Sequence, residues 1–93
     1  MKEKCTAFFA RVRGRVQGVG FRYSAIREAS RLRLNGYVRN ADDGAVEVWA
    51  EGPEENCAMF LEWLQRGPQF SRVDKVDKQD MQPVGYDGFD VKY

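Results

Sequence analysis

Residues 7–13 alternate in character. Phe8, Ala10 and Val12 fall on one side, and Phe9, Arg11 and Arg13 on the other. A period of two predicts a strand with one buried face. Gly14 to Gly20 form a glycine-punctuated loop, and from Phe21 the period lengthens. Phe21, Ala25, Ala29 and Leu32 recur at helical spacing with Ile26 beside them, while Arg27, Glu28 and Arg31 point away. This predicts an amphipathic helix stopped by Asn35-Gly36. Tyr37 to Ala41 reads as a short strand. Asp42-Asp43-Gly44 reads as a tight turn, because Asp-Gly tolerates the positive φ a hairpin demands. Val46, Val48 and Ala50 then alternate with Glu47, Trp49 and Glu51 in the return strand.

A second helix is signposted at both ends. Pro53 suits the first helical position, and Glu54 and Glu55 complement the positive end of the helix dipole. Cys57, Phe60, Leu61 and Leu64 make its apolar stripe. Arg66 falls in the last turn, with Gly67 and Pro68 beyond. Arg72 to Met81 is the next predicted strand, with a bulge suggested where Val73 and Val76 break the alternation. Pro83 to Gly88 is loop, and Phe89, Val91 and Tyr93 mark a last short strand. The order β-α-β-β-α-β plus a terminal strand predicts an α+β, ferredoxin-like split βαβ sandwich. Its antiparallel sheet carries both helices on one face. That architecture hosts many functions and names none.

The chain of 93 residues fits one domain, 1–93, with 1–6 expected to be flexible. Apolar residues make up 43% and charged residues 31%, which excludes a disordered or fibrous chain. No apolar run approaches the roughly 18 residues of a membrane span. The start of the chain lacks the pattern of a signal peptide, so a cytoplasmic location is expected. Cys5 and Cys57 are read as reduced thiols. The absence of histidine excludes a Ser-His-Asp triad, a Cys-His pair and a His-ligated metal, and two distant cysteines make a poor zinc site. No cofactor is expected.

Net charge is +1, but it is unevenly spread. Residues 1–40 hold ten Lys/Arg and two acidic residues, whereas residues 41–93 hold five and twelve. A basic first half suits an anion site, a nucleic-acid patch or simply a solvated face. The segment Gly14-Arg15-Val16-Gln17-Gly18-Val19-Gly20-Phe21-Arg22 sharpens the choice. It has neither the dinucleotide-binding spacing nor a P-loop ending. Three glycines between a strand and a helix nevertheless let several backbone N–H groups aim at one point. The helix start adds unsatisfied donors and a positive partial charge. Arg22 stands in the first turn, where a guanidinium can grip an oxyanion with two parallel bonds. These features suit a cradle for a phosphate-sized anion. An ordinary glycine-rich connection with a surface arginine is the plainer alternative.

Val16-Gln17-Gly18-Val19-Gly20-Phe21-Arg22, Gly36-Tyr37-Val38-Arg39-Asn40 and Asp43-Gly44-Ala45-Val46-Glu47 together resemble the acylphosphatase family. The similarity continues through Trp63-Leu64, Gly67-Pro68 and Phe89-Asp90-Val91. The resemblance implies an enzyme that hydrolyses carboxyl-phosphate anhydrides. It implies that Arg22 binds the phosphate and that Asn40 orients the attacking water. It also implies that the backbone amides of Gln17, Gly18, Val19, Gly20 and Phe21 hold the phosphoryl oxygens. The expected partners are small acyl phosphates and inorganic phosphate, with no nucleic acid, no membrane and a monomeric state. Without the resemblance, Asn40 reads as a residue that shapes the following turn.

The chemistry agrees with the composition. Cleavage of an acyl phosphate releases a carboxylate, whose conjugate acid has a pKa of about 4. No general acid is required, so a chain without histidine suits this substrate better than an alkyl phosphate. Two other classes remain open at this level. Val19-Gly20-Phe21-Arg22-Tyr23 echoes an RNA-binding string, although such a string belongs on a central strand and here opens a helix. A small-ligand regulatory module is the third. Arg11, Arg13, Arg15 and Arg39 either raise the local potential or sit solvated. Trp49 and Tyr37 either pack or line the mouth of the site.

Overall fold

The computed structural model describes residues 4–93. β1 (Cys5–Arg15) leads through the glycine loop into α1 (Phe21–Arg31) and then β2 (Asn35–Asn40). A tight turn joins β2 to β3 (Val46–Pro53), which runs directly into α2 (Glu54–Arg66), β4 (Arg72–Met81) and β5 (Phe89–Val91). The five strands form one sheet in the order β4-β1-β3-β2-β5. The two βαβ crossovers interleave: β3 lies between β1 and β2, and β1 lies between β3 and β4. This is the split arrangement expected from the order of elements.

The sheet is mixed rather than wholly antiparallel. β1, β2, β3 and β4 pair antiparallel, but β5 joins β2 in parallel, with Gly36 opposite Phe89 and Val38 opposite Val91. The loop after β4 carries the chain across the open face of the sheet, so β5 arrives running the same way as β2. Of the stretch expected to be flexible, Cys5 and Thr6 belong to β1 and pair with Pro53 and Gly52. The Lys4 carbonyl accepts a hydrogen bond from Glu54 N, and residues 1–3 lie outside the described part.

Both helices cover one face. The core between them and the sheet takes Phe8, Ala10 and Val12 from β1, and Val46, Val48 and Ala50 from β3. The helices add Phe21, Ala25 and Ala29, and Cys57, Phe60 and Leu64. Phe60 is wholly buried. Its ring stacks on Trp63 and meets Phe89 edge-on at 5.7 Å, so α2 is locked to the terminal strand. Leu61 of the expected stripe is only half-buried. Burial pushes the Cys57 thiol up from its ordinary range, and both cysteines are free.

Several boundaries move from the sequence reading, each for a local reason. α1 ends at Arg31, and Arg33 takes the left-handed turn at φ 57°. Gly36 instead lies inside β2, which starts at Asn35. Its α-carbon crowds the carbonyl of Trp49 on β3 so closely that a Cβ would sit 1.9 Å from that oxygen. Pro53 closes β3 and α2 begins at Glu54. The bulge is real: the β1–β4 register shifts between Arg13 and Gly14, leaving Asp74 unmatched.

Candidate active site

The topology gathers three segments at one end of the sheet. A short connection makes α1 antiparallel to β2, so the first turn of α1 stands beside the last residue of β2, Asn40. Parallel pairing brings the end of β5 to the same place, where Lys92 N donates to Val38 O at 2.8 Å. Between these segments lies a cleft of about 290 Å³, lined by Val16, Gly18, Gly20, Phe21, Arg22, Tyr23, Ile26, Asn40, Val91 and Tyr93.

The loop is built for close approach. Gly18 and Gly20 take φ of 75° and 77°, left-handed values that cost a side-chain-bearing residue about 1–2 kcal/mol. A Cβ at either would meet no atom within 4 Å, so the backbone there faces open space. Gly20 is the N-cap of α1 and offers no side chain to cap it, and no acidic residue stands in the first turn. The first bond of the helix ladder runs from Ser24 N to Gly20 O at 3.1 Å. The N–H groups of Phe21, Arg22 and Tyr23 therefore precede the ladder, and the positive end of the dipole is uncompensated.

Arg22 is half-buried in this first turn, its guanidinium carbon 5.7 Å from the centre of the Tyr93 ring. Asn40 closes β2 opposite Val46. Its Oδ1 is enclosed and has no hydrogen-bond partner among the described residues. An acceptor left so costs about 1–3 kcal/mol. The Gln17 side chain turns from the cleft to the β2–β3 turn, where Nε2 donates to Ala41 O at 2.8 Å and to Ala45 O at 2.9 Å. Phe21 sends its ring into the core against Trp63, and Val19 packs on the core as well. Gln17, Val19 and Phe21 thus have only main-chain groups to offer a ligand.

Arg22, Asn40, Gly18, Gly20 and Phe21, singled out from the sequence, border one cleft. Of its other walls, Tyr23, Ile26, Val91 and Tyr93 were not singled out as site residues from the sequence. Alternation marked β5 as a strand but carried no sign of its partner. Trp49 and Tyr37 lie away from the cleft, packed around Tyr86 at 6.0 and 5.7 Å. Of the extra arginines, Arg11, Arg13 and Arg39 are ion-paired on the open face of the sheet, while Arg15 is exposed and has no ion pair among the described residues. Arg11 meets Asp43 and Glu47, Arg39 meets Glu47, and Arg13 meets Asp43 and Asp77. A larger cleft of about 400 Å³ opens at the other end of the sheet. Its two lysines are engaged, Lys4 with Glu54 and Lys78 with Asp80. Among the described residues, no group of three or more Asp, Glu or Cys is placed to hold a metal. Neither helix is long and apolar enough to cross a membrane.

The family model for acylphosphatase matches residues 8–91. An acylphosphatase of Pseudomonas paraeruginosa is 51% identical over 83 residues, covering 89% of this chain and 91% of its own length. One from Bacillus licheniformis is 47% identical, covering 88% and 92%. The crystal structure of the acylphosphatase from Bacillus subtilis superposes with a TM-score of 0.91 at 40% identity, covering 95% of this chain and 99% of that one.

Proposed function

This chain belongs to the acylphosphatase family and hydrolyses acyl phosphates, and from that premise we propose how its cleft performs the cleavage. The phosphoryl group rests on the loop amides at 17–21 and on the Arg22 guanidinium, and Asn40 directs water onto phosphorus. The orphaned Oδ1 of Asn40, a residue that lines the same cleft as Arg22, carries this reading.

The substrate brings negative oxygens. Two left-handed glycines, an uncapped helix start and an arginine line the cleft in which this reading sets those oxygens. Such donors are fixed before the reaction and need no reorganisation as charge spreads over the phosphoryl oxygens. The carboxamide torsion of asparagine is soft, so a small turn presents Oδ1 to a water in the cleft. That contact relieves the unpaired acceptor and orients the nucleophile. Asparagine is too weak a base to take the proton, and a phosphoryl oxygen of the substrate accepts it. The P–O bond to the acyl group breaks and its electron pair leaves with the carboxylate, which needs no acid because its conjugate acid has a pKa of about 4.

The same reading leaves nucleic acid aside. On the open face of the sheet, Arg11, Arg13 and Arg39 pair with Asp43, Glu47 and Asp77. Phe21 of the RNA-like string is buried under the helices rather than displayed.

The test is steady-state hydrolysis of an aryl acyl phosphate by the wild type and by Asn40→Ala. The variant is expected to bind inorganic phosphate nearly normally while kcat collapses. Near-normal turnover would remove Asn40 from the reaction.

A further inference from the structure

We infer that the side chain of Gln17 is a positioning residue: it ties the phosphate loop to the strand end that carries Asn40 and so sets the distance between the held phosphoryl group and the oriented water. The inference rests on the reading of Asn40 given above and adds a residue whose side chain touches no substrate.

The two halves of the site come from separate parts of the chain. The loop belongs to the β1–α1 connection, and Asn40 stands before the β2–β3 turn. Backbone pairing does not join them directly, since β3 lies between β1 and β2 in the sheet. The Gln17 carboxamide spans the gap. One Nε2 proton goes to Ala41 O at 2.8 Å and the other to Ala45 O at 2.9 Å, 24 and 28 residues away. Ala41 follows Asn40 directly, and Ala41 N donates to Ala45 O at 2.8 Å across the mouth of the turn. The carboxamide therefore holds both sides of the turn at once.

Few side chains can do this. A primary amide offers two donors from one nitrogen in a fixed plane. Glutamate would set an anion against two carbonyl oxygens. Methionine matches the length but donates nothing. Asparagine is shorter by one methylene and falls short of the turn. The tie also differs from a bond the fold requires. Without Gln17, Ala45 O keeps the Ala41 N–H and Ala41 O keeps that of Gly44 at 3.2 Å. Its loss orphans no carbonyl, so Gln17→Met is expected to fold.

The effect should therefore be on alignment. A misplacement of about an ångström costs up to ~100-fold in rate. Gln17→Met is expected to lower kcat by about 10- to 100-fold, while the Kd for inorganic phosphate changes less than about threefold. Combining it with Asn40→Ala should bring no further loss beyond Asn40→Ala alone, because the tie acts only through Asn40. Circular dichroism reports the fold, and in the wild type the Gln17 side-chain NH₂ should exchange slowly with solvent by NMR. A folded Gln17→Met within twofold of the wild-type kcat overturns the inference, as does a loss that multiplies with that of Asn40→Ala. Should the variant fail to fold, the exchange measurement decides: protected protons support the tie and solvent-rate exchange refutes it. An active Asn40→Ala would instead overturn the water-orienting role itself, so the two failures are distinguishable.

Discussion

Replacing Glu51 with glutamine isolates a carboxylate that holds a loop. Glu51 lies on β3, only 4% exposed although charged. Its oxygens accept from Trp49 Nε1 at 3.0 Å, Val84 N at 3.0 Å, Gly85 N at 2.8 Å and Tyr86 N at 2.7 Å. Burial alone would push its carboxyl up, but these bonds outweigh it and hold it below the ordinary carboxylate range. Glutamine keeps one oxygen, enough for about two of the four donors, and sets an NH₂ against the others. Hydrogen bonds to a charged group contribute about 1.5–3 kcal/mol each. Part of that loss returns if the loop lifts into water, so about 2–4 kcal/mol of destabilisation is expected at pH 7. For a domain of this size, that lowers Tm by roughly 10–25 °C. The folded pKa is depressed, so the stabilisation is fully present above the unfolded value of about 4.3 and is lost as pH falls through the folded one. The gap between wild type and Glu51→Gln should therefore be widest near neutrality and shrink under acid. Urea unfolding followed by tryptophan fluorescence, with Trp49 itself a donor to Glu51, reads it directly. A gap below about 0.5 kcal/mol at pH 7, or one equally wide at pH 3, would refute the reasoning.

Gly36→Ala should cost about 3 kcal/mol or more in urea unfolding, because the new Cβ meets a backbone oxygen at 1.9 Å; wild-type stability would show that the strands separate freely there. Arg22→Lys should lower kcat/KM at least ~100-fold, since a point charge cannot reproduce a two-pronged grip; near-normal kinetics would displace Arg22 from the phosphoryl group. Hydrolysis should be undiminished by a chelator, because the carboxylate leaves unaided; a requirement for added metal would contradict the mechanism.

The chain announces what is local and conceals what is distant. Alternation along residues 7–13 and the stripe of Phe21, Ala25 and Ala29 settle which faces are buried, and the structure buries them. The glycine pattern and Arg22 were legible because a strand-to-helix bend needs those residues at those places. Boundaries set by a neighbour were not. Gly36 reads as a helix stop until β3 is laid against it. The parallel docking of β5 depends on the path of residues 82–88 over the sheet. That path is held by Glu51, which along its own strand looks like one more solvent-facing acid. Val91 and Tyr93 reach the cleft only through that docking. Gln17 likewise reads as a loop residue, because nothing near it in the chain reveals a bond to a turn 24 residues away.

Titration of isotope-labelled protein with inorganic phosphate, followed by amide and guanidinium NMR, tests the central claim most directly. The amides of residues 17–21 and the Arg22 Nε resonance are expected to shift together and saturate, and Arg22→Ala should abolish the response. Shifts gathered instead around Lys4 and Lys78 in the larger cleft, with residues 17–21 unmoved, would contradict it.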